Sequence, residues 1–520
     1  MTDAITAERI GLVWLRAAIE PVGAFGRRHD ETVAPYGPGE ETRARDEIAA
    51  VVALAGALDR DGVARLRAAL RAVPEPSPIL ARARAGDQLG DVDFYELGRF
   101  VDALAALARA WDAAGGAPEQ RPPVLHTLAA ILAPGRAGGG FYLADAFGAA
   151  LPPVRAALAA AEAEIDAQRD ALAARVRAET GVDPVGDEFV VLRDVYDGPL
   201  PDGARVVRDA PAYRSAAFEL DTDVRDAALM RLTEAEETVR RALAERVARE
   251  TTHAGEALRA LGALDRALAR VAFTQRWGGC VPELAANRIA FEEAMFAPLA
   301  DALGERGRLY TPLSLDLRGV AILTGPNMGG KSAALATAGF MCACVTLGIP
   351  PPARAASLPL LDNAVWIGGE GPQERTRLLS SYAAEVVRGR ETLAQASSRT
   401  LILIDEFART TGPREGRALL IAFAEALRAR GALALVATHF DGIAETAHVP
   451  HLRIAGLREL GLDAVRANDL DAALDAINRA MDYRVVDARD AAAASDALAL
   501  AALLGFDASV IARARALFAD

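Results

Sequence analysis

The spacing of apolar residues predicts that the first part of the chain is built from helices. Apolar residues recur at helical intervals from Ile10 to Pro74, with a turn-rich interruption at residues 29–39, and again from Leu80 to Leu107. The proline-rich segment 74–78 separates the two stretches, because proline interrupts a helix. We therefore expect an all-helical region over residues 1–151.

Two longer helices are predicted over residues 152–271. The first opens at Pro152-Pro153 and ends near Thr180, and the second runs from about Val224 to Val271. Between them, residues 188–192 and 216–220 form short apolar runs that are typical of strands. Residues 181–223 are therefore expected to form a hairpin-like tip on a helix pair. Such a pair fits either a projecting arm or a coiled-coil scaffold with no site of its own.

From residue 272 onward, short apolar runs alternate with helical patterns. The predicted strands are 320–323, 364–367, 400–404 and 432–437. This alternation is typical of a doubly wound α/β domain, which we place over residues 272–455. A helical tail is predicted over residues 456–520, with helical patterns at 469–481 and 491–504.

A phosphate-binding loop follows the first of these strands. Its sequence fits the pattern G-x-x-x-x-G-K-[ST] at every position, and it lies between an apolar strand and an apolar helix. The backbone N–H groups of such a loop bind phosphate oxygens, the lysine neutralises the β and γ phosphates, and the serine hydroxyl binds Mg²⁺. The sequence therefore predicts that ATP and Mg²⁺ bind at Gly325, Pro326, Asn327, Met328, Gly329, Gly330, Lys331 and Ser332.

The chain contains a single lysine, and it lies in this loop. Lys331 is the only lysine among 58 basic residues, and every other one is arginine. A compact ammonium fits inside the loop as a point charge, whereas the planar guanidinium is wider and forks its donors. The chain therefore has lysine at the one position where arginine would not serve.

Two further strand ends carry residues suited to ATP hydrolysis. The apolar run Leu401–Ile404 ends in Asp405 and Glu406, and Ala437-Thr438 is followed by His439. We expect Asp405 to help Ser332 hold Mg²⁺ and Glu406 to act on the water that attacks the γ phosphate. His439 is predicted to contact the γ phosphate or that water.

Composition and charge limit the remaining function classes. The formal net charge of −13 argues against a generally basic protein that coats nucleic acid, although a local arginine-lined face stays possible. Cys280, Cys342 and Cys344 are expected to be reduced, in a cytoplasmic protein. The N-terminus lacks the pattern of a signal peptide, and the charge-free run 332–353 is predicted to be a buried helix rather than a membrane span.

Four motifs together resemble the MutS family of mismatch-repair ATPases. Residues 324–332 are similar to the family's Gly-Pro-Asn-Met-Gly-Gly-Lys loop, and Ser380-Ser381-Tyr382 with Glu385 is similar to its S-T-F-x-x-E motif. Residues 405–410 are similar to D-E-x-G-R-G, with Ala408 and Thr410 in place of the two glycines, and residues 437–440 to A-T-H-Y/F. The tail at 501–517 is similar to the family's closing A-x-L-A-G-x-P-x-x-V-x-x-R-A pattern.

The resemblance implies an ABC-type ATPase that dimerises head to tail and has composite ATP sites. Ser380 of one subunit would then cap the γ phosphate held by Lys331 of the other. Residues 152–271 would be lever helices that move on ATP binding, and the tail 456–520 would take part in dimerisation. An aromatic residue near the start of the ATPase domain stacks on adenine in the family, and Tyr310 is the nearest candidate.

The chain also departs from the family's mismatch readers. Its helical region begins near Ile10, so the resemblance is to a shortened form without the mismatch-reading and connector domains. Residues 181–221 carry nine acidic and four basic side chains, a balance that opposes binding to DNA phosphates.

Two functions therefore stay open. One is the coupling of ATP-driven dimer rearrangement to mismatched or branched DNA. The other is ATP-dependent reactivation of a cobalamin-dependent aminomutase, a role associated with MutS-like proteins of this layout.

Overall fold

The fold is taken from a computed structural model that describes most of the chain. The described residues are 2–326, 330–368, 381–408, 411–457, 481–490, 498, 501 and 506–519. The chain divides into two compact units. The first unit contains residues 1–71, 110–121 and 261–520, and the second contains residues 72–109 and 122–260.

The first unit opens with five helices. The spacing of Val63, Leu66 and Leu70 buries one face of the fifth helix, and the Asp59 carboxylate accepts the backbone N–H of Gly62 at its start. The third helix extends to Thr32, so the turn predicted from residue 29 begins later than expected. The helices are α1 Ala4–Arg9, α2 Leu12–Ala18, α3 Ala24–Thr32, α4 Glu41–Ala57 and α5 Arg60–Arg71.

The second unit is mainly helical, as the apolar spacing predicted. The positions expected to face the core of its longest early helix are fully buried, among them Phe94, Leu97 and Phe100. Its two long helices end within a few residues of the predicted bounds, apart from the C-terminus of the second. The helices are α6 Ser77–Ala85, α7 Asp91–Ala113, α8 His126–Leu132, α9 Leu151–Thr180 and α10 Asp223–Trp277, of which α7 and α10 also contribute residues to the first unit.

The predicted tip between α9 and α10 is a small antiparallel sheet. A two-residue hairpin, β1 Arg136–Ala137 and β2 Gly140–Phe141, precedes it in the chain. The tip contains β3 Glu188–Leu192, β4 Ala204–Asp209 and β5 Tyr213–Phe218 in the order β3-β5-β4. Strand β4 was not predicted, because all but its first residue is exposed and the strand therefore lacks an alternating apolar pattern.

Two sheets form the α/β part of the first unit, and the larger contains the four predicted strands. The larger has the order β11-β12-β13-β9-β14-β15; its first five strands are parallel, and β15 is antiparallel to β14. The smaller has the order β6-β10-β7-β8. The strands are β6 Glu283–Leu284, β7 Ile289–Ala294, β8 Leu313–Leu317, β9 Val320–Thr324, β10 Ala355–Leu358, β11 Asn363–Gly368, β12 Thr400–Asp405, β13 Leu433–Ala437, β14 His451–Leu457 and β15 Met481–Asp487.

The C-terminal part of this sheet differs from the sequence-based prediction. Residues 456–520 were expected to form a helical tail, but β14 continues to Leu457 and β15 begins at Met481 as an edge strand. The predicted helix at 469–481 lies outside the described residues except for Met481. Of the predicted helix at 491–504, the described residues are 498 and 501, both in helical conformation.

The helix after the phosphate loop lies within the core. The helices of this region are α11 Ala297–Glu305, α12 Lys331–Thr346, α13 Ser381–Gln395, α14 Pro413–Ala429, α15 Ile443–Ala447 and α16 Ala508–Ala519. Every residue of α12 from Ala334 to Val345 is buried, which explains why the helix has no charged side chain after Lys331. Within the described ranges, no helix combines the length and apolar composition that crossing a membrane requires.

A buried ion cluster holds the carboxyl end of α12. Arg270 of α10 is 2% exposed and donates to the Leu347 carbonyl at 3.4 Å and to the Asp30 carboxylate at 3.2 Å. Arg266, one turn earlier, pairs with Asp30 and Glu47. Burial lowers the pKa of Arg270 to about 10. A cation is favourable at a helix carboxyl end, so the cluster fixes the helix whose other end carries Lys331.

Candidate functional site

The predicted site residues meet at the carboxyl edge of the large sheet. Strands β12, β13 and β9 are parallel neighbours, with Asp405 opposite Ala437 and Ala437 opposite Leu323. Asp405 ends β12, and the phosphate loop follows β9. The carboxyl ends of parallel strands open on one crevice, which is where ligands bind in such sheets.

Glycines shape the two ends of the phosphate loop. Gly330 caps α12 with φ +90°, a left-handed conformation that favours glycine. A Cβ atom at Gly325, where φ is +152°, would lie 2.9 Å from the Cβ atom of Ile454. Asn327, Met328 and Gly329 lie outside the described residues.

Lys331 is buried at the start of α12. The residue is 6% exposed, and its Nζ donates to the carbonyls of Gly325 at 2.9 Å and Pro326 at 3.1 Å. Burial lowers the pKa of Lys331, and the nearby carboxylates of Asp405 and Glu406 act in the opposite direction. The ammonium therefore contacts the start of the loop, where the charges of both predicted acidic residues act on it.

Ser332 and Asp405 form a direct pair. The Ser332 Oγ donates to Asp405 Oδ2 at 2.8 Å. Burial raises the pKa of Asp405, the hydrogen bond from Ser332 opposes this, and the neighbouring charge of Glu406 raises it further. A buried carboxylate with this balance is one that a cation would stabilise.

The donor set of this pair fits Mg²⁺. The ion prefers hard oxygen ligands and is commonly held by one or two protein side chains together with phosphate oxygens and water. The Ser332 hydroxyl and the Asp405 carboxylate would supply the two protein ligands of such a site, and phosphate oxygens and water would supply the others. In the described part of the chain, no group of three or more His, Cys, Asp and Glu side chains is placed to hold a metal ion by itself.

Glu406 and His439 are hydrogen-bonded to each other. His439 Nε2 contacts Glu406 Oε1, and because an ionised carboxylate only accepts, the imidazole is the donor. Glu406 adopts φ +58°, which is unusual for a residue other than glycine. Its backbone N–H donates to the Ala437 carbonyl at 3.0 Å, so the β13 end holds this strained residue in place.

The segment after Glu406 is anchored from α13. Glu385 Oε2 accepts the backbone N–H of Ala408 at 2.9 Å. Ala408 has φ +60° at a position where the resembled motif has glycine, so the turn is retained at some backbone strain. Ser380, predicted to act in trans, lies outside the described residues, as do Arg409 and Thr410.

Tyr310 packs beside the phosphate-loop helix. Its hydroxyl accepts the backbone N–H of Phe296 at 3.1 Å, and the nearby Thr337 side chain of α12 acts to lower the pKa of that hydroxyl. Burial raises the pKa of Tyr310. The hydroxyl therefore has a protein partner, and adenine stacking by this ring stays a prediction.

Tyr483 is a residue at the site that sequence reasoning missed. Its ring atom Cδ1 lies 3.1 Å from the position that a Cβ atom on Gly330 would occupy. The residue belongs to β15, in the region predicted to be a helical tail, so no sequence pattern pointed to it. His451 lies beside the end of β9, where its Nε2 is hydrogen-bonded to Thr324 Oγ1 at 2.9 Å.

Comparison with known proteins finds similarity over the part of the chain that contains these residues. Residues 321–520 match the family model described as MutS domain V. An endonuclease MutS2 of Pelotomaculum thermopropionicum is 28% identical over 388 residues, which cover 72% of this chain and 47% of that protein. An endonuclease MutS2 of Thermomicrobium roseum is 29% identical over 301 residues, which cover 54% of this chain and 35% of that protein.

A mismatch-repair protein is also similar. The DNA mismatch repair protein MutS of Granulibacter bethesdensis is 34% identical over 247 residues, which cover 45% of this chain and 26% of that protein. The matches to these three relatives thus cover about half of each relative's length or less.

Proposed function

Because this chain belongs to the MutS family, we propose that it binds and hydrolyses ATP at the site described above. The observation that carries the proposal is the convergence of Lys331, the Ser332–Asp405 pair and the Glu406–His439 pair at one sheet edge. Phosphoryl transfer needs mainly positioned charges around the triphosphate and a positioned water, and these five side chains supply both.

Each of these residues has a proposed role. Lys331 neutralises the β and γ phosphates, and Ser332 and Asp405 hold Mg²⁺, which supplies charge neutralisation to the phosphates when bound. Glu406 orients the attacking water and accepts its proton. His439 donates to Glu406 and so holds the carboxylate in position.

The adenine has two candidate partners. Tyr310 and Tyr483 both lie beside α12, but the Tyr310 hydroxyl is hydrogen-bonded to the Phe296 backbone, whereas the Tyr483 ring lies against the loop glycine Gly330. We retain Tyr310 as the sequence-based proposal and add Tyr483 as the one nearer the phosphate loop. Loss of ATP affinity in Tyr483→Ala but not in Tyr310→Ala would identify Tyr483 as the residue that contacts adenine.

We further propose that the active form is a homodimer in the cytoplasm, with Ser380 of one subunit completing the ATP site of the other. Its support is the resemblance of Ser380-Ser381-Tyr382 to the family motif that acts in trans. The tail 456–520 would contribute to dimerisation. ATP binding would rearrange the dimer and move the helices of residues 152–271.

DNA is the first proposed client. The relatives are a mismatch-repair protein and endonucleases of the MutS2 type, so we propose that the dimer couples ATP to binding of mismatched or branched DNA. The family-model match covers residues 321–520, and the proposal assigns the DNA-related function of the relatives to the whole chain.

A protein client is the second candidate, and the tip sheet is the observation that favours it. It carries five more acidic than basic side chains, and two of its arginines are already engaged, because Arg193 pairs with Asp197 and Asp209, and Arg205 pairs with Glu219 at 3.7 Å. The same sheet exposes several apolar side chains, namely Val190, Leu192, Val206 and Val207. An acidic surface with exposed apolar residues suits a protein better than a phosphate backbone. The proposed client of this kind is a cobalamin-dependent aminomutase.

Two assays test the ATPase activity and the DNA role separately. Phosphate release from ATP should require Mg²⁺ and should be lost in Lys331→Ala, which tests the ATPase. A gel-shift series with duplex, mismatched and branched DNA at increasing salt tests the client. Binding that falls steeply with salt supports the DNA role, whereas no binding at low salt by an active ATPase rules it out.

A further inference from the structure

A second charged pocket lies in the first unit, between the fifth helix and the end of α10. It has a volume of about 410 Å³. Four arginines line it: Arg60, Arg67 and Arg71 of α5, and Arg276 of α10. It shares no lining residue with the phosphate loop.

Helix periodicity explains how these arginines face one space. Arg60, Arg67 and Arg71 are separated by seven and four residues, which places them on one side of α5. Between them Ala64 and Ala68 leave room, because their side chains are single methyl groups. Long cationic side chains therefore surround a floor of small apolar ones.

The positive charge of the pocket is only partly neutralised. Arg276 pairs with Asp301 at the rim and lies over the Trp277 ring. Arg60 donates to the Gln275 carbonyl at 2.6 Å, which is a neutral partner. Arg71 makes no ion pair within the described ranges.

Arg67 is the residue that points to a ligand. Its Nη2 donates to the Glu20 carbonyl at 3.2 Å, but its Nη1 is shielded from solvent and has no hydrogen-bond partner among the described residues. Burial lowers the pKa of Arg67, while the buried carboxylate of Asp265 raises it and the charge of Arg71 lowers it. The Asp265 oxygens accept the backbone N–H groups of Val22 and Gly23. A shielded charged N–H without an acceptor is costly, and turning the Arg67 side chain toward an anionic ligand oxygen in the cavity would remove that cost.

We propose that this pocket binds a phosphorylated small molecule of about nucleotide size. Guanidinium groups donate in a planar fork that matches phosphate oxygens, and several around one cavity favour a ligand with more than one negative charge. The volume lies within the range of small-molecule sites, roughly 300–1,000 Å³. The site does not depend on the ATPase proposal, because no phosphate-loop residue takes part.

The test is a calorimetric titration of inorganic pyrophosphate into the full chain. All proteins carry Lys331→Ala, which removes binding at the phosphate loop. Arg71→Gln and Arg67→Gln should each weaken pyrophosphate binding about tenfold or more, because each removes charge-assisted hydrogen bonds. Arg65→Gln is the matched control, since Arg65 is exposed on the same helix and does not line the pocket. It should leave the affinity unchanged.

Three outcomes would overturn the proposal. One is the absence of pyrophosphate binding, and another is an equal loss in Arg65→Gln, which would mean that only general charge matters. The third comes from a parallel titration with a single-stranded oligonucleotide. If the oligonucleotide binds in an Arg71-dependent way while pyrophosphate does not bind, the groove contacts a nucleic-acid backbone instead. Arg71 is exposed, so Arg71→Gln provides a test even if Arg67→Gln fails to fold.

Discussion

The contact between Glu406 and His439 predicts that the two residues act as one catalytic unit. The perturbations are Glu406→Gln, His439→Ala and the double substitution. Replacing a general base lowers the rate of the chemical step by about 10²- to 10⁴-fold. We expect Glu406→Gln to fall in this range while still binding ATP.

The cost of losing His439 follows from the geometry of its hydrogen bond. The bond to a carboxylate is charge-assisted, but the His439 side chain is 40% exposed, so the low end of the usual range applies. That end is about 1.5 kcal/mol, which corresponds to about a tenfold slower step. Because the imidazole acts through Glu406, removing it after Glu406→Gln should slow the reaction less than about twofold further.

Single-turnover phosphate release, with protein in excess over labelled ATP, isolates the chemical step from product release. His126→Ala is the matched control, because His126 is an exposed histidine of the second unit and should leave the rate unchanged. If the double variant is slower by the full product of the two single effects, His439 acts independently of Glu406. It would then contact the γ phosphate directly, and the reasoning from the pair would be refuted.

Three further predictions concern the same site. Lys331→Arg should abolish ATP binding as fully as Lys331→Ala, because the ammonium lies within hydrogen-bond distance of two loop carbonyls and a guanidinium is wider. Titration with a fluorescent nucleotide measures the affinity, and retained affinity in Lys331→Arg would contradict the prediction. Gly368→Ala should destabilise the protein by about 3 kcal/mol, since its Cβ would lie 1.9 Å from the Asp405 carbonyl oxygen. Gly431→Ala is also at positive φ, but its Cβ would meet only the Ser398 Cβ atom at 4.0 Å, so it should cost about 1 kcal/mol; equal losses of stability in thermal unfolding would count against the close packing at Gly368. The pKa of Asp405 is raised in the folded protein, so its ionised carboxylate destabilises the fold at pH 7. Asp405→Asn should therefore raise the melting temperature without Mg²⁺, and this gain should shrink as the pH falls through the raised pKa. A lower melting temperature of Asp405→Asn at pH 7 would show that the carboxylate stabilises the protein.

The parts of the site that the sequence could predict are those carried by short, local patterns. The phosphate loop places Lys331 and Ser332 next to each other in the chain, and Asp405 and Glu406 end a continuous apolar strand. Parallel strands then bring these strand ends together without further information. The contact between Ser332 and Asp405 follows from that topology.

The parts that could not be predicted depend on packing between distant segments. Tyr483 reaches the loop because β15 is an edge strand, and its run of apolar residues is too short to distinguish from a helical tail. The left-handed conformations of Glu406 and Ala408 leave no pattern in residues other than glycine. The arginine pocket needs Arg276 to face α5, and periodicity shows which side of a helix is polar but not which helix lies opposite.

The most direct test of the central claim is a crystal structure of the chain with Mg²⁺ and a non-hydrolysable ATP analogue. The account predicts that the triphosphate occupies the loop at residues 325–332, with the Lys331 ammonium on its phosphates. It also predicts a metal ion bound beside Ser332 and Asp405, and Glu406 facing the γ phosphate. A nucleotide bound elsewhere, or in the loop with Asp405 and Glu406 turned away from it, would contradict the account.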